Sequence, residues 1–284
     1  MHTIAIVGLG LIGGSLGLDF CRLGYRVLGV ARRPETVDLA LERAVVHQAS
    51  TDLSLVAAAD VVFLCTPIDG VIAVAEQVVP YLKPSAVLTD VSSVKGRLVP
   101  ALEALWPHFM GGHPMAGKAE AGLAVAESHL FQGRPYVLTP TPNTSALAVD
   151  SLSSLVDQLE SHRYSCSPED HDRAVAWISH LPVMVSSSLI QACQQESKAE
   201  ILTLAQSLAS SGFRDTSRVG GGVPELGTLM ARYNRDALLS AIALYQRQLG
   251  QIRALIEVED WDGLHHCLAQ AQTARPNYVD PVDC

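Results

Sequence analysis

Charge is scarce in this sequence. Only 17 % of its 284 residues are Asp, Glu, Lys or Arg, while 48 % are hydrophobic. Such a chain buries a large core, which excludes disorder as its overall state. Basic residues are the scarcer sign, 20 Lys and Arg against 29 Asp and Glu, for a formal net charge of −9. That balance argues against general binding to nucleic acid or to an anionic membrane, both of which need a basic surface. It leaves room for a local basic pocket that holds a small anion. None of Cys21, Cys65, Cys166, Cys193, Cys267 and Cys284 forms a C-x-x-C pair. No disulfide framework and no metal site is therefore expected, and free thiols in a reducing, cytoplasmic compartment are. No Lys or Arg precedes Arg22, and five glycines lie between Gly8 and Gly17, a poor match to a secretory signal. Internal repeats and low-complexity tracts are also missing. The longest stretch without formal charge, 174–195, has the length of a membrane span. His180, Pro182, three successive serines and a closing pair of glutamines point instead to a helix buried within protein.

What is present is an alternation. Residues 3–7 form an apolar run suited to a strand buried on both faces. Glycines follow, then helical spacing to about Leu23, a second strand over 26–31, and a helix over 34–44 that begins with proline. Further strands are read at 61–65 and 86–91 with a helix over 70–82 between them, and weaker strands at 109–111 and 135–139. This order implies an α/β fold with a parallel sheet and helices on both faces. After about residue 165 only helices are read, over 168–178, 183–193, 199–208, 225–233, 235–257 and 261–274. Asp236 and Asp260 stand at helix starts, and the tail from Pro276 reads as irregular. The expected organisation is a nucleotide-binding domain over 1–165 and a helical domain over 166–284.

Gly8-Leu9-Gly10-Leu11-Ile12-Gly13 follows the first strand and opens the first helix. In that setting Gly8 permits the tight turn, Gly10 lets backbone approach a pyrophosphate, and Gly13 lets helix pack on strand. The free N–H groups of the helix end would meet the phosphates. The second strand ends Gly29-Val30-Ala31-Arg32-Arg33, with no acid before Glu35 to bond a ribose 2′-hydroxyl. Two guanidinium groups there suit a 2′-phosphate, so NADP is expected over NAD; the plain alternative is a pair of solvated arginines. Cys65-Thr66-Pro67 and Asp90-Val91-Ser92-Ser93-Val94-Lys95 end later strands and should face the cofactor, although Ser92 is also a candidate helix cap. Gly111-Gly112-His113-Pro114-Met115-Ala116-Gly117 places a histidine in a glycine-rich loop after a strand, with open space around it on that face, where neutral imidazole can accept a hydroxyl proton. His180 lies in the uncharged stretch, where a charge is costly and a neutral, hydrogen-bonded ring is expected. Arg214 and Arg218, in what reads as a loop over 212–218, offer guanidinium groups to a carboxylate, or pair with Asp215 at the surface.

Taken together, Gly8-Leu-Gly10-Leu-Ile-Gly13-Gly14-Ser15, Asp90-Val-Ser92-Ser-Val-Lys95, Gly112-His113-Pro114-Met-Ala-Gly117, Ser179-His180-Leu-Pro182 and Gly212-Phe-Arg-Asp-Thr-Ser-Arg218 resemble the prephenate/arogenate dehydrogenase family of tyrosine biosynthesis. The resemblance spans nearly the whole chain. It implies a Rossmann-type domain followed by a helical domain that forms a homodimer of intertwined helices. It also implies an oxidative decarboxylation in which His113 takes the substrate hydroxyl proton, Ser92 orients His113 beside the nicotinamide, His180 is a second site histidine and Arg218 holds the ring carboxylate. Ala31 departs from the acid of NAD-using members, and Val183 stands where many bacterial members have another histidine. NADP use with a bare two-domain chain resembles the arogenate-specific branch, for which Glu225 is a candidate partner of the substrate ammonium. Three alternatives stand beside that expectation. One is a prephenate dehydrogenase forming 4-hydroxyphenylpyruvate. Another is a Rossmann dehydrogenase that uses a lysine of its helical half, for which Lys198 alone is available after Lys118. The third is a catalytically silent NADP-sensing protein.

Overall fold

A computed structural model describes residues 2–118 and 120–279 of the chain. Its first part runs β1 (Thr3–Val7), α1 (Leu11–Arg22), β2 (Arg26–Val30), α2 (Pro34–Glu42), β3 (Gln48–Ser50), β4 (Val61–Leu64), α3 (Val71–Val78), β5 (Val87–Asp90), α4 (Leu98–Leu105), β6 (Phe109–Pro114), β7 (Pro135–Thr139), α5 (Ala146–Gln158) and β8 (His162–Ser165). These strands form one eight-stranded sheet in the order β3-β2-β1-β4-β5-β6-β7-β8. All neighbours are parallel except β6 and β7. The expected α/β architecture, a Rossmann-type parallel sheet followed by helices, is therefore present.

Burial explains why the central strands read as unbroken apolar runs. Every residue of β1, β4 and β5 is buried. Side chains alternate between two cores: Ile4 and Ile6 join Phe20 and Phe63 on one face, while Ala5 and Val7 join Leu28 and Leu64 on the other. The chain leaves the β3 edge and re-enters beside β1 as β4. The carboxyl ends of β1 and β4 thus flank the point where strand order reverses, the place where such sheets bind ligands.

Beyond β8 come α6 (Pro168–Val175), α7 (Leu181–Gln194), α8 (Ala199–Leu208), α9 (Ser211–Ser217) and α10 (Pro224–Tyr233), then α11 (Arg235–Glu257), α12 (Trp261–Ala274) and α13 (Pro276–Val279). A π-helical turn, Ala176–His180, joins α6 to α7. Ser167 caps α6 by accepting from the Asp170 N–H, with Pro168 in the first turn. Asp236 lies in the first turn of α11, and Asp260 caps α12 through the Gly263 N–H. Packing gathers Met1–Arg235 into one compact unit and Asp236–Cys284 into a second.

Three expectations need correction. Residues 212–218 are helical rather than a loop, because Ser211–Ser217 closes a turn whose Arg214 N–H donates to Ser210 O. The tail contains the helical turn Pro276–Val279, proline being well suited to a first helical position; residues 280–284, with Cys284, lie outside those described. The long uncharged segment is not enclosed by its own chain. The helical stretch Pro168–Gln194 is long and apolar enough to cross a membrane, yet only 28 % of its apolar window is buried, and Trp177 and Ile178 are exposed.

Candidate active site

The loop after β1 is shaped for a phosphate. Gly8 has φ +105°, and a Cβ there would stand 2.5 Å from Cys65 O at the end of β4. A Cβ on Gly13 would overlap Gly8 O, so side chains are excluded at both. Around Gly10, by contrast, a Cβ would meet nothing within 4 Å. No side chain caps the α1 N-terminus, which leaves its first N–H groups for an anion. Leu9 is buried, with its Cδ1 only 2.9 Å from where a Cβ on Gly29 of β2 would lie, and Ile12 packs on the core, so the loop is anchored around that opening. Leu11 begins α1. Arg32 and Arg33 are exposed just beyond β2, and Pro67 is exposed beyond β4. Thr66 Oγ1 and Ser92 Oγ are buried without a hydrogen-bond partner. An open cradle, free helix N–H groups and two orphaned hydroxyls fit a bound dinucleotide. Ser92 does not cap a helix, since α4 starts only at Leu98.

Asp90, the last residue of β5, organises what lies beneath. Lys95 Nζ donates to Asp90 Oδ2 at 2.5 Å and to Gly112 O at 2.6 Å. The Ser92 N–H donates to Asp90 Oδ2 at 3.0 Å, and the Gly112 N–H to Asp90 Oδ1 at 3.4 Å. Both charged side chains are fully buried. Burial pushes the Lys95 ammonium below its ordinary pKa, against the pull of Asp90. Through these bonds Asp90 ties the Ser92 segment to the strand residue that precedes His113.

His113, expected in an open loop, instead lies within β6, where the strand runs on to Pro114 by pairing antiparallel with β7, and it is buried. Its Nδ1 lies 2.8 Å from Nε2 of His171 on α6, and His171 Nδ1 lies 2.9 Å from Asp172 Oδ1. The Lys95 and Gly96 N–H groups donate to Asp172 Oδ1 and Oδ2 at 2.7 and 2.8 Å. Asn234 Nδ2 donates to Asp172 O at 2.7 Å and lies 3.1 Å from His180 Nδ1, while His180 Nε2 is buried without a partner. Burial, reinforced by His171, Lys95 and His180, holds His113 well below the usual histidine pKa. Burial likewise lowers His180 to about 4, with Asp172 opposing. Both rings are neutral at physiological pH, the state a proton acceptor requires.

The lowered His180 value has a consequence for stability. A histidine whose folded pKa lies below its unfolded value stabilises the fold fully above about pH 6.5, and that contribution is lost as the pH falls toward the folded value. The urea midpoint is therefore expected to decline between pH 6.5 and about 4, and His180→Gln should make that decline shallower. An equal slope in parent and variant would remove His180 from the effect.

The remaining sequence candidates are not part of this cluster. Arg214, Arg218 and Glu225 are exposed. Arg214 Nε stands 3.9 Å from Asp215 Oδ1, the surface pairing that the sequence left open. Arg218 opens the short turn Arg218–Gly221, which packs on α7 where Ser187 Oγ donates to Gly220 O at 3.4 Å. Glu225 lies in the first turn of α10, two residues before Gly227, where a Cβ would lie 3.6 Å from Val183. A cavity of about 440 Å³ beside Met115 and Lys118 does not include His113 or Ser92 in its wall. Sequence reasoning missed His171, Asp172 and Asn234, and it assigned no role to Lys95. The available signal was a charged, histidine-containing helix start at 168–173 leading into the uncharged stretch 174–195.

Comparison with known proteins is consistent across the chain. Residues 16–165 match the family model "Prephenate dehydrogenase, nucleotide-binding domain", and residues 167–270 match "Prephenate dehydrogenase, dimerization domain". Prephenate dehydrogenase of Bacillus subtilis (strain 168) is 32 % identical over 280 residues, covering 96 % of this chain and 75 % of that protein. The crystal structure of Synechocystis arogenate dehydrogenase superposes with a TM-score of 0.89 at 50 % identity, covering 97 % of this chain and 99 % of that one. Prephenate dehydrogenase from A. aeolicus, in complex with hydroxyphenyl propionate and NAD+, superposes with a TM-score of 0.92 at 27 % identity over 98 % of each chain.

Proposed function

The chain belongs to the prephenate dehydrogenase family, and on that footing we propose that it catalyses the NADP-dependent oxidative decarboxylation of arogenate to tyrosine. The observation that carries the chemistry is a buried, neutral His113 next to Gly112, whose backbone Asp90 joins to that of Ser92, while the Ser92 hydroxyl is left without a partner. The substrate choice is supported by the 50 % identity to an arogenate dehydrogenase. The lack of an acid between the end of β2 and Glu35 supports the cofactor choice.

In this reading Gly8, Gly10, Gly13 and the α1 N-terminus hold the pyrophosphate. Arg32 and Arg33 take the 2′-phosphate, and Thr66, Pro67 and Ser92 border the nicotinamide. The bound cofactor supplies the hydride acceptor. His113 accepts the substrate's hydroxyl proton as the carbon bearing that hydroxyl is oxidised; the ring carboxylate leaves as carbon dioxide and the ring becomes aromatic. Aromatisation drives the step, so a weak base in the right place suffices. Arg218, with Arg214 near it in sequence, binds the ring carboxylate, for which a planar guanidinium is suited. Glu225 meets the side-chain ammonium.

The test is a set of four specificity constants, with arogenate or prephenate as substrate and NADP or NAD as cofactor. Arogenate with NADP should give the largest value. A ratio near one between substrates, or one favouring prephenate, would overturn the substrate choice. Replacing Arg32 and Arg33 together by Ala should weaken NADP and leave NAD use little changed; equal losses would show that the two arginines do not discriminate.

We also propose a cytoplasmic homodimer formed through the helical half, with no nucleic-acid or membrane partner. The apolar Pro168–Gln194 segment, little buried by its own chain and with Trp177 and Ile178 in the open, needs such cover. Sedimentation is expected to show a dimer at micromolar concentration, and a well-behaved monomer would defeat this assignment.

A further inference from the structure

We infer that His171 and Asp172 are positioning residues that fix the tautomer of His113, so that its Nδ1 carries the proton and its Nε2 is left as a free acceptor. The inference rests on the reading of His113 as the base and adds what sets that base's polarity.

One group in this chain of contacts has a fixed role in hydrogen bonding. The Asp172 carboxylate accepts the Lys95 and Gly96 N–H groups, and as a carboxylate it can only accept. His171 Nδ1, 2.9 Å from Asp172 Oδ1, must therefore be the protonated nitrogen of that ring. A neutral imidazole protonated at Nδ1 has its lone pair on Nε2. His113 Nδ1 faces that lone pair at 2.8 Å, so it carries the proton and donates. The lone pair of His113 is then on Nε2. Without His171, neutral His113 could hold its proton on either nitrogen, and protonation at Nε2 removes the acceptor that a substrate hydroxyl needs.

The same residue sets the second histidine the opposite way. Asp172 O, a backbone carbonyl, accepts from Asn234 at 2.7 Å, so the amide nitrogen and not the oxygen must face it. That nitrogen also lies 3.1 Å from His180 Nδ1, which therefore accepts. His180 carries its proton on the unpartnered Nε2. Asp172 thus presents one imidazole as an acceptor through its carboxylate and the other as a donor through its carbonyl.

Nitrogen NMR of the folded, full-length protein with labelled histidines tests this directly, because the two tautomers of a neutral imidazole have distinct ring-nitrogen signals. His113 should be protonated at Nδ1. His171→Gln keeps an acceptor toward His113 and a donor toward Asp172, and should retain that tautomer and most of the turnover. His171→Leu removes the acceptor; His113 should then populate the Nε2-protonated form, and kcat should fall by about a hundredfold with KM and NADP affinity little changed. The pH profile of kcat/KM should also move in His171→Leu and not in His171→Gln, with Lys95, His180 and the Asp90 behind Lys95 left in place around the ring. A wild-type His113 protonated at Nε2, or equal behaviour of the Leu and Gln variants, would overturn the inference. If His171→Leu does not fold, the wild-type tautomer and the Gln variant still decide. Should the tautomer shift as expected while turnover is unaffected, the positioning would stand and the assignment of His113 as base would fail.

Discussion

His113→Asn is expected to lower turnover by about a hundredfold or more while the dinucleotide still binds. Asparagine is the informative replacement because its amide N–H₂ can still donate to His171 Nε2, so the buried contact made by His113 Nδ1 has a substitute. What the variant lacks is the second ring nitrogen, the only atom of this residue left to take a proton. The parent should lose kcat/KM as the pH falls through the His113 value, which burial places well below the usual 6.5. Activity should therefore hold across neutral pH and drop only in acid. In the variant that acidic fall should vanish along with the rate. NADP affinity, measured by fluorescence or calorimetry, separates a lost base from a lost fold; a variant that neither folds nor binds would assign His113 a structural role.

Lys95→Met is expected to have the largest effect on stability. The side chain is replaced by one of similar length, but Asp90 then keeps only the Ser92 and Gly112 N–H groups as partners in a fully buried setting. Removing one partner of a buried ion pair costs about 3–5 kcal/mol, because the other charge is stranded. At roughly 2–4 °C per kcal/mol for a chain of about this size, the melting temperature should fall by about 10 °C. Gly112 O also loses its donor, so the segment leading to His113 should loosen and activity should suffer in the folded fraction. The double variant Lys95→Met with Asp90→Asn removes the stranded charge and should recover part of the loss. A single variant as stable as the parent, or a double variant less stable than the single by the full cost of a second lesion, would show that the two groups are not energetically coupled.

The parts of this molecule that could be read in advance are those whose meaning is local. β1, β2, β4 and β5 announced themselves as apolar runs because both of their faces are covered. The glycine loop was legible because its position between strand and helix fixes its chemistry. β8 went unread: His-Arg-Tyr-Ser is exposed along its whole length and has no apolar face to betray it. β3 is three residues long, too short for any period to show. The histidine cluster failed for a different reason. His113 and His171 are 58 residues apart in sequence, and Asn234 is 62 residues from Asp172. Nothing in the stretch around any one of them shows that the sheet end, the start of α6 and the end of α10 converge. Arg214, Arg218 and Glu225 carry no such mark of burial; they are exposed in the folded chain, and their proposed part in substrate binding rests on the sequence motif.

The wide turn at Ala176–His180 bears on how this chain can change length. Asp172 and His180 are eight residues apart, and at ~100° per residue an unbroken α-helix would set them roughly 80° apart around its axis. A π-helical turn takes up one residue more than an α-helical one. Across it, eight residues behave as seven, which is close to two whole turns, and both residues come to the side that Asn234 bridges. The turn therefore stores a spare residue. A deletion at the exposed Ile178 would leave a regular helix with the same two residues aligned, whereas a deletion a few positions later, within α7, would rotate Ser186 away from the Thr216 carbonyl it now donates to. Along this one helix, tolerance to a lost codon should be concentrated where the hydrogen bonding is least regular.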